Sequence, residues 1–264
     1  MKLLVIQNRV FQDIQDTLTN IKLQIQKADT RCLDFLVLPE MFSTPYELKY
    51  FKSHKQTKSD EVISFLTELA SKYNIYIIGG SIPYYENDKI YNSTFVFSRT
   101  GEIISQYNKI HLFEITYPDG VYFREADVLT KGKEIVTFDT EFGIMGVMIC
   151  FDIRFPLLAD KLMNQGAKVI FVPAAFNTYT GPLHWRTTFR ARSIDNQLFI
   201  VGCSPSNDSF GNYDIYGHSI VVNPYGEVLK ELDSQRGVIE IDLDLKQIET
   251  ARNGIPILKN RVKL

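Results

Sequence analysis

Ile144-Met145-Gly146-Val147-Met148-Ile149-Cys150-Phe151-Asp152-Ile153-Arg154-Phe155-Pro156 passes from an apolar run into a short polar turn and on towards a helix. Ile144–Phe151 has the length of a buried strand and falls far short of the ~20 residues that cross a bilayer. Phe142–Cys150 therefore reads as a strand that ends on a cysteine. The polar turn Asp152–Arg154 follows, and a helix is predicted over Phe155–Gln165, stopped near Gly166. The next apolar run, Val169–Phe176, repeats the pattern, with a strand over Lys168–Val172, a helix over His184–Asn196 and a strand over Leu198–Cys203.

Beyond these lie a predicted hairpin, Tyr216–Val222 with Val228–Leu232 across Asn223-Pro224-Tyr225-Gly226, a strand over Val238–Leu243, a short helix and an irregular tail. Before them, Lys133–Phe138 pairs with Phe142–Cys150 around Asp139-Thr140-Glu141. Ile75–Ile82, Ile90–Ser98 and Glu102–Tyr107 are rich in Ile, Val, Tyr and Phe, with turn signals at Asn87-Asp88 and Thr100-Gly101. At the start of the chain Lys2–Gln7 is a strand, and Phe11–Lys27 sets Ile14, Leu18, Ile21 and Ile25 on one helical face. Phe35–Leu38 is a buried strand closed by Pro39; Phe51–Asp60 is polar and reads as loop, and Glu61–Lys72 as helix. Many strands bracketed by early and late helices, with no Gly/Ser linker and no repeat, predict one α/β domain over residues 1–264. Its two sheets pack face to face between helical layers.

With 264 residues, 45% hydrophobic and 23% charged, the composition is that of a globular chain. Lys+Arg 29 against Asp+Glu 31 provides no basic footprint for nucleic acid and no polybasic membrane surface, so neither partner is expected. The apolar stretch Leu3–Ile6 is shorter than the roughly seven residues of a secretory core. Cys32, Cys150 and Cys203 form an odd set without CxxC spacing, which predicts reduced thiols, no metal and a cytoplasmic protein.

Three strand ends carry reactive residues: Val37-Leu38-Pro39-Glu40-Met41-Phe42, Tyr107-Asn108-Lys109-Ile110-His111-Leu112-Phe113, and the cysteine segment. Ligands gather at the carboxyl ends of strands in α/β sheets. Cys150 is either a small buried hydrophobe or a nucleophile; standing before a helix, it meets the positive end of the helix dipole, which favours thiolate. Glu40 is either a loop carboxylate or a desolvated general base with a raised pKa. Lys109 is either a solvated lysine or a cation that stabilises an oxyanion. A Cys–His pairing through His184 or His218 is a further possibility, one that leaves Glu40 and Lys109 without a role.

Taken in order, Glu40, Lys109 and Cys150 in these motifs resemble the nitrilase superfamily of carbon–nitrogen hydrolases. Gly79-Gly80-Ser81, Tyr91-Asn92-Ser93, Gly101-Glu102 and Asn223-Pro224-Tyr225-Gly226-Glu227 add to the resemblance, which covers nearly the whole chain. It implies a four-layer αββα sandwich with Glu40 as base, Lys109 as oxyanion stabiliser and Cys150 as nucleophile. A second glutamate, Glu125 in Phe123-Arg124-Glu125, would orient the lysine and the water, and the backbone N–H of Phe151 would complete the oxyanion hole. The implied reaction passes through a cysteine thioester and needs no cofactor. The resemblance also implies a homodimer paired through helices beside the cysteine loop.

Pro173–Trp185, Arg192–Gln197, Ser204-Pro205 and Ile241–Leu245 with Arg252 and Ile255-Pro256 resemble the omega-amidase branch, although Tyr179 interrupts the Asn-x-Thr-Thr-Gly stretch expected there. The implied substrates are small-molecule dicarboxylate monoamides: 2-oxoglutaramate, 2-oxosuccinamate and succinamate. Arg154 and Tyr46 are the candidates for seating the remote carboxylate; Arg154 could instead pair with Asp152, and Tyr46 could simply pack. The alternatives are an amidase for deaminated glutathione, an enzyme for another C–N substrate such as an N-carbamoyl amino acid, and a catalytically silent scaffold.

Overall fold

The computed structural model describes residues 1–54 and 56–262. Its first sheet has the order β14-β1-β2-β3-β4-β5, built from β1 (Lys2–Gln7), β2 (Phe35–Val37), β3 (Tyr76–Glu86), β4 (Lys89–Phe97), β5 (Ile103–Asn108) and β14 (Gly237–Asp242). The second has the order β13-β12-β11-β10-β9-β8, from β8 (Thr137–Thr140), β9 (Gly143–Val147), β10 (Val169–Pro173), β11 (Phe199–Cys203), β12 (Ile220–Val222) and β13 (Val228–Glu231). Each sheet has a parallel centre, β1-β2-β3 and β9-β10-β11, with antiparallel strands outside it. A separate small hairpin joins β6 (Glu114–Thr116) to β7 (Tyr122–Arg124).

Successive side chains of a strand point to opposite faces, and this sorts the core into layers. Leu3, Val5, Phe35, Val37 and Ile78 point inward to meet Met145, Val147, Phe171 and Val201 of the other sheet. Their neighbours Leu4, Ile6, Leu36 and Ile77 point outward, onto Leu18, Ile21 and Ile25 of α1 (Ile14–Lys27) and Val62, Leu66 and Leu69 of α3 (Gln56–Tyr73). The second sheet is covered by α4 (Pro156–Asn164) and α5 (Gly181–Asn196) through Leu158, Leu162, Trp185 and Phe189. The result is the αββα sandwich. Burial on both faces explains why the central strands read as unbroken apolar runs rather than as alternations.

Two readings need correction. The segment read as loop, Phe51–Asp60, contains the end of a short helix α2 (Leu48–Ser53) and the first turn of α3; Lys55 lies outside the described residues. The polar start of α3 hides one tertiary anchor, Ser59, whose hydroxyl donates to the Pro83 carbonyl at 2.8 Å. The turn joining β8 to β9 also falls later than Asp139-Thr140-Glu141, at Glu141-Phe142 between Thr140 and Gly143. A last helix, α6, spans Lys246–Gly254. No helix among the described residues is long and apolar enough to cross a membrane.

Candidate active site

The parallel centres of both sheets present their carboxyl ends to the same cleft. Past β2 the ladder continues for one more bond, Leu38 N–H to the Ile78 carbonyl at 3.1 Å, and the chain turns at Glu40. The bulge between Gly79 and Ile82 of β3 grips this turn: Ser81 N–H donates to the Pro39 carbonyl, and the Ser81 hydroxyl accepts from Met41 N–H at 3.1 Å. Past β9, Met148 N–H donates to the Phe171 carbonyl at 3.0 Å, and Cys150 opens a five-residue 3-10 turn with φ +46°. A non-glycine residue in that region is strained and held there by its surroundings. Lys109 follows directly on β5, and Glu125 directly on β7.

These side chains converge although no two of the four lie close in sequence. Lys109 Nζ is 2.8 Å from Glu40 Oε1 and 2.9 Å from Glu125 Oε2, and all three side chains are fully buried. Asn92 Nδ2 also donates to Glu40 Oε1 at 2.8 Å. Glu125 is engaged at both oxygens, by the Tyr46 hydroxyl at 2.7 Å and by Phe113 N–H at 2.7 Å. Glu40 differs: its Oε2 is buried without a partner, so it is the carboxylate with an oxygen free to take a proton. Among the described residues no cluster of His, Cys, Asp and Glu has the arrangement of a metal site.

Burial pushes the Glu40 carboxyl above its ordinary value; Lys109 pulls it down and Glu125 pushes it up again. Burial works against the Lys109 ammonium, but Glu125 and Glu40 outweigh it and lift the group above the ordinary lysine range. Burial also drives the Cys150 thiol well up, with Glu40 adding to the effect while Lys109 and the Ala175 N–H oppose it. The expectation that a helix dipole favours thiolate is therefore corrected. The turn at Cys150 is a short 3-10 segment rather than the end of α4, and burial raises the thiol. The Glu40 carboxylate is among the groups that set the ionisation of this thiol.

Neither histidine of the Cys–His alternative is hydrogen-bonded to Cys150 among the described residues. His184 Nδ1 accepts from Arg154 Nη1 at 2.7 Å, and the His218 ring stacks on Tyr216 with Nδ1 against the Tyr216 carbonyl.

Arg154 does not pair with Asp152, whose carboxylate is taken up by Tyr107, His111 and Ile149. Among the described residues Arg154 has no carboxylate partner at all, and its Nε is buried without an acceptor. The guanidinium lies over the Phe176 ring at 4.6 Å and the Phe151 ring at 5.7 Å, and burial lowers its pKa from the arginine value. It lines the same small cavity as Cys150, about 10 Å³, together with Phe113, Phe151, Phe176 and Tyr213. Outside Tyr213 and Asn177 a groove of about 600 Å³ opens, walled by Tyr46, Tyr117, Phe123 and Tyr179. Tyr46 is both packed, at 4.6 Å from the Tyr213 ring, and committed through its hydroxyl to Glu125. The Phe151 N–H meets no backbone carbonyl outside its own turn among the described residues.

The contacts of Asn92, Asp152 and Tyr213 are not predicted by the sequence. Asn92 and Asp152 had a legible signal, a polar residue inside an apolar stretch that burial obliges to find partners. Tyr213, in a loop of Gly, Asn and Asp, had none.

The sequence profile of the carbon–nitrogen hydrolase family matches residues 4–253. Omega-amidase NIT2 of Homo sapiens is 37% identical over 260 residues, 98% of this chain and 94% of that protein. Omega-amidase NIT3 of Saccharomyces cerevisiae is 38% identical over 242 residues, 89% of this chain and 82% of that protein. The crystal structure of Saccharomyces cerevisiae Nit3, described as a member of branch 10 of the nitrilase superfamily, superposes with a TM-score of 0.89 at 34% identity, covering 98% of this chain and 96% of that one.

Proposed function

The chain belongs to the carbon–nitrogen hydrolase family and is an amide-hydrolysing enzyme, and from that premise we propose that it removes the terminal amide of small dicarboxylate monoamides. The class comprises 2-oxoglutaramate, 2-oxosuccinamate and succinamate, and the products are ammonia and the dicarboxylate. The observation that carries the reading is Arg154: a desolvated cation without a carboxylate partner among the described residues, in the cavity that holds Cys150. A half-buried charge without a carboxylate partner attracts a counter-charge, and a substrate carboxylate supplies one.

Glu40 accepts the Cys150 proton as sulfur attacks the amide carbon, in keeping with the burial that favours the neutral thiol. Lys109 Nζ has three donors, two of them directed at Glu40 and Glu125. The third, with the Phe151 N–H, meets the oxyanion in a water-poor site where such donors are worth about 10²–10³ in turnover. Glu40 then returns its proton to the departing ammonia, and a thioester remains. Glu125 holds Lys109 while Glu40 activates the water that cleaves this thioester. The similarity to omega-amidases supports the amide class.

Ammonia release from succinamate, 2-oxoglutaramate, 2-oxosuccinamate, butanamide, a nitrile and an N-carbamoyl amino acid tests the reading. The carboxylate-bearing amides should exceed butanamide by about 10–100-fold in kcat/KM, the worth of a hydrogen bond to a charged group. Arg154→Leu should erase that margin. Silence of the folded enzyme on all the carboxylate amides, or an equal rate on butanamide, overturns the reading. The groove outside Tyr213 favours a second, longer amide of the deaminated-glutathione type, whose extra length it has room to take.

A further inference from the structure

We propose that Asp152 is a positioning residue of this site, a buried carboxylate that staples the lysine-bearing strand end of one sheet to the cysteine turn of the other. The proposal rests on the reading of Cys150 and Lys109 given above. Asp152 is fully buried and accepts four hydrogen bonds. Oδ1 takes the His111 backbone N–H at 2.9 Å and His111 Nδ1 at 2.7 Å; Oδ2 takes the Tyr107 hydroxyl at 2.7 Å and the Ile149 N–H at 3.0 Å. A carboxylate only accepts, so His111 Nδ1 is the protonated ring nitrogen. The His111 ring is itself fixed, stacked at 3.6 Å and 7° on Phe155.

The placement of these donors gives the network its meaning. Tyr107 and His111 flank Lys109 by two residues on either side, at the end of β5 in the first sheet. Ile149 and Asp152 flank Cys150 after β9 in the second sheet. Among the described residues no ladder hydrogen bonds join the two sheets; they meet through apolar side chains and a few polar ties at β1, β2, β11 and the start of β12, where Ser219 N–H and hydroxyl donate to Gln7 Oε1 and Cys203 Sγ donates to the Ile6 and Val37 carbonyls. Those ties lie on other strands; between the end of β5 and the cysteine turn, apolar packing is non-directional and leaves the register soft at the level catalysis needs, where 1 Å can cost about 10²-fold. Four directional bonds on one acceptor remove that softness next to the two reacting groups. The Ile149 bond also closes the turn that holds Cys150 at its strained φ.

Two substitutions test this. Asp152→Asn keeps the shape but turns one oxygen into a donor that faces other donors; Tyr107→Phe deletes a single O–H. Three quantities are measured for each: kcat and KM on succinamate, the thermal midpoint, and the pH profile of Cys150 alkylation by iodoacetamide. For Asp152→Asn, kcat should fall about 10–100-fold with KM within about threefold. The alkylation profile should move to higher pH, because Lys109, which opposes the rise in the thiol pKa, is no longer held beside sulfur. Tyr107→Phe should shift both readouts in the same direction by less. A lowered thermal midpoint with wild-type kcat and an unmoved alkylation profile overturns the proposal. Should Asp152→Asn not fold, Tyr107→Phe decides alone, and an unchanged profile there overturns it. The alkylation profile needs no substrate, so an enzyme silent on succinamate that still shows the shift upholds the staple and refutes only the substrate assignment.

Discussion

Glu40 shows how one residue acquires its chemistry from what surrounds it. Burial favours the neutral carboxyl, while Lys109 and Asn92 favour the charged one, and the balance lies above an ordinary glutamate. A raised pKa means that the base form is lost as pH falls through that higher value. The acidic limb of kcat/KM should therefore stand above the roughly 4.3 of a free glutamate. Asn92→Ala removes a donor to the charged form, so the limb should move higher still, with activity above the limb reduced by less. A pH profile of each enzyme on succinamate checks both statements; a limb at or below the ordinary value would show that Glu40 is not the titrating base. Glu40 and Lys109 stood out as candidates because charged residues follow strand ends, and the family resemblance joined them; the Asn92 donor to Glu40 was not legible. Asn92 lies 52 residues from Glu40, and nothing local connects them.

At the scale of elements, β3 supports the catalytic turn without contributing a reacting group. Its bulge places Gly80 at φ +50°, where a Cβ would collide with the Pro39 carbonyl oxygen and the Phe42 ring. Gly80→Ala should cost about 1–3 kcal/mol of stability and lower kcat by about tenfold or more, because the displaced backbone carries Glu40. Thermal unfolding and succinamate kinetics measure the two effects, and an unaltered kcat would mean the turn adapts. The Gly79-Gly80-Ser81 motif thus has a mechanical reading: glycine admits the approach and Ser81 ties it. The same scale explains the loop misread at Phe51–Asp60. In α2 only Phe51 is buried, and the start of α3 depends on Ser59 reaching Pro83, so neither left an apolar period to read. The β6–β7 hairpin, with three residues in each strand, likewise falls below what a pattern can reveal.

For the whole molecule, the contact between the sheets is the common foundation. Phe171 is fully buried there, stacked at 5.3 Å on Phe35, which in turn stacks at 4.9 Å on Tyr76. Phe171→Ala should destabilise the fold by about 3–5 kcal/mol and lower the thermal midpoint by roughly ten degrees. Calorimetry checks this, and a drop of only a degree or two would mean the two sheets close over the cavity. The layers also explain the reach of the site: Glu40 and Lys109 come from the first sheet, Cys150 and Arg154 from the second, and the cleft exists only where the two meet.

By itself the sequence determined most of the strands, the principal helices, their layering and the candidates for reactive side chains, because apolar periodicity and the residues that end a strand are local properties. Which of Glu40's oxygens stays free, that burial raises the Cys150 thiol, that Arg154 faces the cysteine rather than Asp152, and that Asp152 joins the sheets were decided by tertiary structure alone. The reason is that hydrogen bonds and desolvation depend on distances of a few ångströms between residues tens to a hundred positions apart, and only folding sets those distances.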